Sequence, residues 1–314
     1  MILNNKNLYH FTSVDTLTKY ILKDNRLKFN NLYEMNDPKE SNSWPFKVYD
    51  ESDAKSYLKI NIQLFEDIDR YIKTHWLIAC FKEEFGIIVN TDINDCSRAY
   101  FDMRMWAQYG ENHAGVCVIF DYEKLVSSFS NANDINIFNG CASYLQNYIN
   151  GNEDPFALSF YQMSQFGLNE MLNRQTEKYY KEFFFTKSLS WSGEREYRIA
   201  LQSKDKEVEF YLHDFKDAIS GIILGNKTSE EDQKVIFDTY GKQYSIYRIL
   251  SNNWHNEIVK VEDARDNTIS LNGISFSTQI PANYFVVKAQ NTKNDTVLIL
   301  INYKGEVILL PSNN

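Results

Sequence analysis

Two carboxylates and a guanidinium alternate with apolar residues in the segment Lys187–Leu201, KSLSWSGEREYRIAL. Glu194, Glu196 and Arg198 would share one face if this segment is a strand, because successive side chains of a strand point to opposite faces. Carboxylates can stabilise a developing positive charge or take up a proton, and a guanidinium can bind an anion with two hydrogen bonds. The pattern predicts a strand with one charged face, which is either solvated surface or a working site.

Two further polar groups could contribute chemistry. His10 lies in the short apolar segment LYHF, where it is either a packed histidine or a catalytic one. The sequence NDPKE places Asp37 and Glu40 three residues apart, in a loop that either holds a polar ligand or closes on its own backbone, as Asn and Asp do in turns. Pro38 keeps Asp37 out of helical geometry.

A third group precedes the apolar sequence GVCVIFD. The segment MWAQYGENHAG contains Trp106, Tyr109 and His113. One interpretation makes Trp106 a core residue and His113 a surface residue; the other makes the aromatic side chains part of a ligand site.

The elements that would position these groups follow from hydrophobic periodicity. Ser13 has the right type and place to cap a helix that follows LYHF, and an apolar stripe predicts an amphipathic helix over Asp53–Lys73. Thr228 is predicted to begin a capping box with Glu231. Strands are predicted at Leu8–Phe11, Leu27–Phe29, Trp76–Phe81, GVCVIFD, VEFYL and Ala218–Gly225, and helical structure at FDMRMWAQYG and over Pro155–Glu182.

The pattern changes after residue 250. Alternating apolar residues and the turn pairs Asn272-Gly273 and Lys304-Gly305 predict hairpins. We therefore expect an α+β main domain over residues 1–250 and a small all-β extension over 251–314.

Composition and sequence patterns argue against several classes of protein. The net charge of −9 gives no long-range attraction to nucleic acid. The four cysteines form no CxxC pair, which argues against a zinc ribbon or a disulfide scaffold. The sequence lacks a signal-peptide pattern and an apolar run of about 18 residues, so we expect a cytoplasmic protein with no membrane partner. It also lacks a GxGxxG or GxxxxGK[ST] phosphate loop.

Five blocks in order, LYHFTS, NDPxE, a Trp-containing helix, GVCVIFD and K-x-x-x-W-x-x-E-x-E-x-R, resemble the uncharacterised bacterial family known as domain of unknown function 2971. The resemblance covers about residues 8–250. LYHFT followed by a helix also resembles the first strand of the histidine-type ADP-ribosyltransferases, some of which are toxins of toxin–antitoxin pairs. That second resemblance implies an ADP-ribosyltransferase-like central β-sheet with flanking helices.

The same resemblance implies NAD as the substrate. His10 would hold the nicotinamide ribose, Glu196 would be the late-strand glutamate with Glu194 beside it, and Arg198 would bind the pyrophosphate or fix the carboxylates. Tyr109, Tyr33 and Trp106 are alternatives for the stacking aromatic. We therefore expect Glu196, Glu194 and His10 to be catalytic, no metal, and NAD contacts from His10, Thr12, Asn36, Asp37, Trp106, Tyr109, Lys187 and Arg198.

The expected function is transfer of ADP-ribose from NAD, or hydrolysis of NAD, in a toxin–antitoxin or antiphage setting. The acceptor would be a nucleic acid or a protein, and an antitoxin or another defence protein would be the partner. One alternative is a non-catalytic module that binds a protein or senses a phage component. The other is a metal-dependent nuclease that uses Asp37, Glu40, Glu194 and Glu196 as oxygen ligands, with Lys187 near the phosphate.

Overall fold

A computed structural model describes residues 7–50, 53–58, 62–84, 97–131, 135–145, 154–203, 206–252, 255–261, 268–271, 274–277, 284–290, 296–302 and 307–309. The chain is of mixed α+β type, and most of its strand pairs are antiparallel. No helix among these residues has the length and apolar character needed to span a membrane.

The strands are β1 (Asn7–Thr12), β2 (Arg26–Asn31), β3 (Lys47–Asp50), β4 (Asp53–Leu58), β5 (Trp76–Glu83), β6 (Val116–Asp121), β7 (Ile135–Cys141), β8 (Ser143–Leu145), β9 (Ala157–Ser159), β10 (Thr186–Ser188), β11 (Glu196–Ser203), β12 (Phe210–Asp214), β13 (Ile219–Leu224), β14 (Ile246–Asn252), β15 (His255–Lys260), β16 (Thr268–Leu271), β17 (Ile274–Ser277), β18 (Tyr284–Gln290), β19 (Thr296–Asn302) and β20 (Val307–Leu309).

The α-helices are α1 (Val14–Thr16), α2 (Leu22–Asp24), α3 (Pro38–Ser41), α4 (Ile62–His75), α5 (Met103–Gln108), α6 (Tyr122–Ser127), α7 (Phe160–Phe166), α8 (Leu168–Lys178), α9 (Tyr180–Phe184) and α10 (Glu230–Tyr240). A π-helical segment, Leu17–Ile21, separates α1 from α2. Short 3₁₀ helices cover Leu32–Glu34, Ala99–Phe101, Glu111–His113, Ser128–Asn131 and Leu189–Glu194.

The chain divides into two compact units, each built from separate stretches of sequence. The first unit comprises residues 1–25, 84–126 and 215–314. Five of its strands form a sheet in the order β1-β6-β13-β14-β15, in which only the β13–β14 pair is parallel. Its aromatic core includes Tyr9, Phe11, Tyr100 and Trp106.

The second unit comprises residues 26–83 and 127–214. Its largest sheet has the order β12-β2-β5-β11-β7, and every pair in it is antiparallel. Ile78 on β5 and Ala200 on β11 contribute to a core in which Trp76 stacks on Phe184, with ring centroids 3.9 Å apart. The remaining strands of this unit form the sheets β4-β3-β9 and β10-β8.

Many of the predicted elements are present. The strand predicted at Leu8–Phe11 is β1, and Ser13 Oγ accepts a hydrogen bond from the amide of Thr16 at 2.9 Å, as a cap of α1 should. The predicted strands at Trp76–Phe81 and GVCVIFD are β5 and β6. The paired strands β16–β17 and β19–β20 flank the predicted turns, whose residues Asn272-Gly273 and Lys304-Gly305 lie outside the described residues.

The helix predicted over Asp53–Lys73 is wrong in its first half. Residues Asp53–Leu58 form β4, which pairs with β3 in antiparallel register, and α4 begins at Ile62. Only Leu58 of the apolar stripe lies in this part, so the helical pattern does not cover it, and pairing with β3 makes it a strand.

Two other predictions require correction. The region Pro155–Glu182 contains β9 and three helices, with breaks at Gly167 and Tyr179. The cap of α10 is Ser229, whose hydroxyl oxygen accepts from the amide of Asp232 at 3.1 Å. Thr228, the predicted cap, instead donates to the carbonyl of Gly115 at 3.0 Å.

Candidate functional site

The segment Lys187–Leu201 is not one continuous strand. β10 carries Lys187, a 3₁₀ helix ends at Glu194, and β11 begins at Glu196. Between them, Arg195 adopts a left-handed backbone conformation with φ of 46°. A non-glycine residue rarely adopts this conformation. It interrupts the alternation of an extended chain, and Glu194 and Glu196 reach the same cation.

That cation is the ammonium group of Lys187. Its Nζ lies 2.8 Å from Oε2 of Glu194 and 2.9 Å from Oε2 of Glu196. The three side chains are at most 6% exposed. Two buried carboxylates repel each other unless a cation lies between them. Lys187 is therefore placed to reduce the repulsion between these two side chains.

Arg198 joins this pair of carboxylates to a third. Its Nε donates to Oε1 of Glu196 at 2.8 Å and its Nη2 donates to Oε2 of the same group at 3.2 Å, which is a bidentate arrangement. Nη2 also lies 2.6 Å from Oε1 of Glu40, and Nη1 donates to the carbonyl of Phe184 at 2.7 Å. The guanidinium is completely buried, and its three nitrogens all have partners.

Glu40 comes from α3, whose position depends on the NDPKE sequence. Asp37 is the cap of this helix: its Oδ1 accepts from the amide of Lys39 at 3.0 Å. Pro38 occupies the first helical position, where its fixed φ favours helix initiation. The predicted irregular loop is thus a capped helical turn that presents Glu40 to Arg198. We call Glu40, Lys187, Glu194, Glu196 and Arg198 the charge cluster.

Two further residues, Lys82 and Tyr144, contact the charge cluster. Lys82, opposite Glu196 on β5, donates to the backbone carbonyl of Glu194 at 2.9 Å. The amide of Glu196 donates to the hydroxyl oxygen of Tyr144 at 2.8 Å. Burial raises the pKa of Tyr144 to about 12, so the phenol remains protonated at neutral pH.

Electrostatics separates the pKa values of the two carboxylates that contact Arg198. Burial favours the neutral form of Glu196, but the nearby charges of Arg198 and Lys187 outweigh it and lower the pKa to about 2. For Glu40, burial raises the pKa, and Arg198 and Lys187 only partly oppose it. Glu196 is therefore held as a carboxylate, whereas Glu40 takes up a proton at a higher pH than Glu196 does.

The same forces act on the other members. Burial disfavours the charge of Lys187, yet Glu196 and Glu40 raise its pKa well above its ordinary value. Burial also raises the pKa of the Cys80 thiol, and the Glu196 carboxylate adds to this effect. Cys80 is thus a neutral hydrogen-bonding neighbour of Glu196 and not a thiolate nucleophile.

A cleft of about 360 Å³ lies beside the charge cluster in the second unit. Glu40 lines this cleft and is also a member of the charge cluster, and Thr186, the residue before Lys187 in the sequence, lines the cleft as well. Aromatic side chains also line the cleft, among them Trp44, Phe156 and Phe183. A space of this size and character is in the range of small-molecule sites.

Four of the predicted site residues are therefore together in the second unit: Glu194, Glu196, Lys187 and Arg198. They are buried, so the interpretation of this face as solvated surface is wrong. Asp37 is also buried and acts as a helix cap, whereas its neighbour Asn36 is exposed.

His10, Thr12, Trp106 and Tyr109 belong to the first unit, whereas Tyr33, another candidate for the stacking aromatic, belongs to the second unit and is exposed. His10 is half-buried on β1, opposite Val118 of β6, and Thr12 lies near the end of the same strand. Convergence of His10 with Glu196 stays a prediction. Tyr109 is half-buried where α5 ends.

Trp106 is a core residue of the first unit. It is 1% exposed, its Nε1 donates to the carbonyl of Tyr100 at 2.7 Å, and its ring lies edge-on to Phe11. The prediction that Trp106 stacks on nicotinamide is therefore replaced by a packing role, because neighbouring side chains cover the indole.

The sequence alone did not identify Lys82 and Tyr144 as neighbours of the site. For Glu40 the sequence predicts a place in a loop that could hold a polar ligand or, in the nuclease alternative, a role as a metal ligand; its spacing from Asp37 in NDPKE is the signal, and the contact with Arg198 is not predicted. Within the described part of the chain, no group of three or more His, Cys, Asp or Glu side chains could hold a metal ion. The carboxylates of the cluster instead contact Lys187 and Arg198.

Comparison with known families gives one match. Residues 105–199 match the family described as "Protein of unknown function (DUF2971)", which confirms the predicted resemblance to that family over this part of the chain. The matched segment includes β6, the 3₁₀ helix that ends at Glu194, and the Glu196–Arg198 part of β11. No curated protein and no solved structure matches the chain.

Proposed function

We propose that the protein cleaves the N-glycosidic bond of NAD, either by transferring ADP-ribose to a macromolecule or by hydrolysing NAD, and that the charge cluster supplies its catalytic carboxylates. The observation that carries this proposal is geometric: Arg198 holds two buried carboxylates, Glu196 at 2.8 Å and Glu40 at 2.6 Å, and Glu40 also lines a cleft. The two carboxylates also differ in their pKa values. Arg198 and Lys187 lower the pKa of Glu196 to about 2, while burial raises the pKa of Glu40. Such a separation is typical of sites that use one carboxylate for charge and another for proton transfer.

The chemistry assigns a different step to each group. When the bond between ribose C1′ and the nicotinamide nitrogen breaks, the electron pair leaves with nicotinamide and C1′ becomes an oxocarbenium centre. A fixed carboxylate such as Glu196 stabilises that positive charge. The attacking hydroxyl or water then forms the new bond to C1′, and its proton goes to Glu40. The cleft of about 360 Å³ that Glu40 lines, called the Glu40 cleft below, is the proposed route by which NAD reaches the charge cluster.

The proposal extends to the fold family and to the biological setting. An ADP-ribosyltransferase-like arrangement would bring His10 of β1 to the ribose of NAD, as the LYHFT motif implies. Loss of NAD or modification of a macromolecule damages a cell. A toxin–antitoxin or antiphage role, with a protein partner that controls the activity, is therefore the proposed setting.

The test uses NAD labelled in the nicotinamide ring and, separately, in the adenylate group, with and without cell extract. We expect release of nicotinamide, and a fall of about 100-fold or more in Glu196→Gln and in Glu40→Gln. The control is Glu170→Gln, an exposed carboxylate paired with Arg174 on α8. Because Glu196→Gln leaves two buried cations less compensated, circular dichroism and a urea titration must show that each variant is folded.

A non-catalytic module is the second candidate function. It is favoured by the observation that all five members of the charge cluster are buried and paired with one another. In that case the cluster only stabilises the second unit. Wild-type protein that is folded but releases no nicotinamide and labels no macromolecule would support this candidate and contradict the enzyme.

A further inference from the structure

Lys73 and Asp69 on α4 form an ion pair that is almost completely buried. Lys73 is completely buried, and its Nζ lies 3.4 Å from Oδ1 of Asp69, one turn earlier on the same helix. Burial lowers the pKa of Lys73, and the adjacent Asp69 opposes this. Because hydrophobic side chains often replace a buried ion pair without loss of stability, stability alone does not account for these two residues.

The pair contacts the backbone of the segment that follows Glu40. Lys73 Nζ donates to the carbonyl of Ser41 at 2.8 Å and also to the carbonyl of Asn42. These two carbonyls lie at the C-terminal end of α3, where helical carbonyl groups need donors from outside the helix. The ammonium therefore fixes the end of the short helix that carries Glu40.

Asp69 holds the next part of the same segment. Its Oδ1 accepts from the amide of Trp44 at 3.2 Å, and its Oδ2 lies 3.5 Å from the hydroxyl of Ser43. The indole Nε1 of Trp44 donates back to the carbonyl of Lys39 at 2.8 Å. The segment from Lys39 to Trp44 is thus tied to α4 at two places and closed on itself at a third.

The segment has two roles in the site already described. Its residues from Pro38 to Pro45 supply much of the wall of the Glu40 cleft, and Glu40 must reach Arg198 to within 2.6 Å. A helix of four residues cannot hold such a position by its own hydrogen bonds, because isolated short helices are unstable. The position of Glu40 must be fixed from outside α3.

We infer that Lys73, held by Asp69, is a positioning residue that fixes Glu40 against Arg198 and shapes the cleft in which the proposed reaction takes place. This inference rests on the proposed function for its effect on catalysis. Its structural part, the fixing of residues 38–45, is independent of whether NAD is the substrate.

The experiment compares Lys73→Met, Lys73→Arg and the double variant Asp69→Asn/Lys73→Met with Arg70→Met. Arg70 is on the same helix and is half exposed, with an ion pair to Asp67, so it is a matched control. Backbone amide exchange over residues 38–45, urea stability and the pH dependence of nicotinamide release are measured for each protein.

We expect Lys73→Met to accelerate amide exchange over residues 38–45 by about tenfold or more while Arg70→Met leaves it unchanged. Glu40 would then move from Arg198, so the acid limb of the rate profile should shift upward by about one pH unit. Lys187 and Glu196 also act on Glu40 and are present in every variant. Lys73→Arg, which keeps a cation for the two carbonyls, should recover part of the rate.

The double variant separates positioning from stability. It removes both charges, so we expect its urea midpoint to return toward that of wild type while exchange stays fast and the rate stays low. If its rate recovers together with stability, the pair is only structural and the inference is wrong. Unchanged exchange in Lys73→Met also overturns it, even if NAD is cleaved. If wild type does not release nicotinamide, the proposed function fails, and the exchange measurement still decides whether Lys73 fixes the segment.

Discussion

At the scale of single residues, the charge cluster makes stability depend on pH in a defined window. Glu196 has a pKa of about 2 in the folded protein, against an ordinary value of 4.5. The unfolded chain therefore binds more protons than the folded one between these values. The stabilisation by Glu196 is fully present above about pH 4.5 and is lost as the pH falls toward 2, with a total of about 3 kcal/mol.

Glu40 acts in the opposite direction. Burial raises its pKa, so its contribution is most favourable at low pH and is lost as the pH rises through its folded pKa. The two carboxylates around Arg198 therefore oppose each other, and their effects are separable only by substitution.

Replacing Lys187 with methionine tests this account. Without the ammonium, the pKa of Glu196 should rise by about one to two units, and the acid loss of stability should begin at higher pH. Free energies of unfolding from urea titrations between pH 2 and pH 7 measure the change. The control is Lys47→Met, because Lys47 makes an exposed ion pair with Asp154 at 3.6 Å. An identical pH dependence for Lys187→Met and wild type would contradict the role of Lys187.

At the scale of elements, the sequence predicts whether a segment is helix or strand better than it predicts which other elements that segment contacts. Hydrophobic periodicity and turn residues located β1, β5, β6 and the cap of α1, because these depend on local sequence. The same reasoning mistook β4 for helix. The reason is that β4 is fixed by pairing with β3, which no local pattern of residues 53–58 reveals.

In the candidate site, too, the contacts between residues close in sequence were predictable and the contacts between distant ones were not. Glu194, Glu196, Lys187 and Arg198 were predictable because they are close in sequence. Lys82 and Glu40 reach the site by pairing and packing across more than 100 residues, so the sequence contained no direct signal of their contacts. The burial of the site was also hidden, because a strand with one charged face is more often solvated.

The cap of α3 is the element-scale test of how Glu40 is positioned. Asp37→Ala removes the acceptor for the amide of Lys39 and should reduce stability by about 1 kcal/mol. Ser229→Ala removes the equivalent bond of α10, so it should cost about the same stability. Only Asp37→Ala should also reduce nicotinamide release, since only α3 carries Glu40. Equal effects of the two variants on the rate would show that the cap has no special role in the site.

At the scale of the whole molecule, sequence order and structural units do not coincide. The second unit contains neither end of the chain, and the first unit consists of three separate stretches of sequence. The composition change near residue 251, from which a separate β extension was predicted, falls within β14, which covers Ile246–Asn252. The predicted division at this position stays a prediction, and truncation can test it.

Two truncated chains make that test. A chain of residues 1–250 loses β15 and the end of β14, including Ile258, which is 2% exposed in the core of the first unit. A chain of residues 1–261 keeps both strands and the hydrogen bond from the amide of Val261 to the carbonyl of Ile246 at 2.8 Å. Because loss of a buried isoleucine side chain alone costs about 2–5 kcal/mol, the shorter chain should unfold at clearly lower urea concentration than the longer one. Circular dichroism in a urea series measures both midpoints. Equal midpoints would show that residues 251–261 are not needed by the first unit and would support a domain boundary near 251.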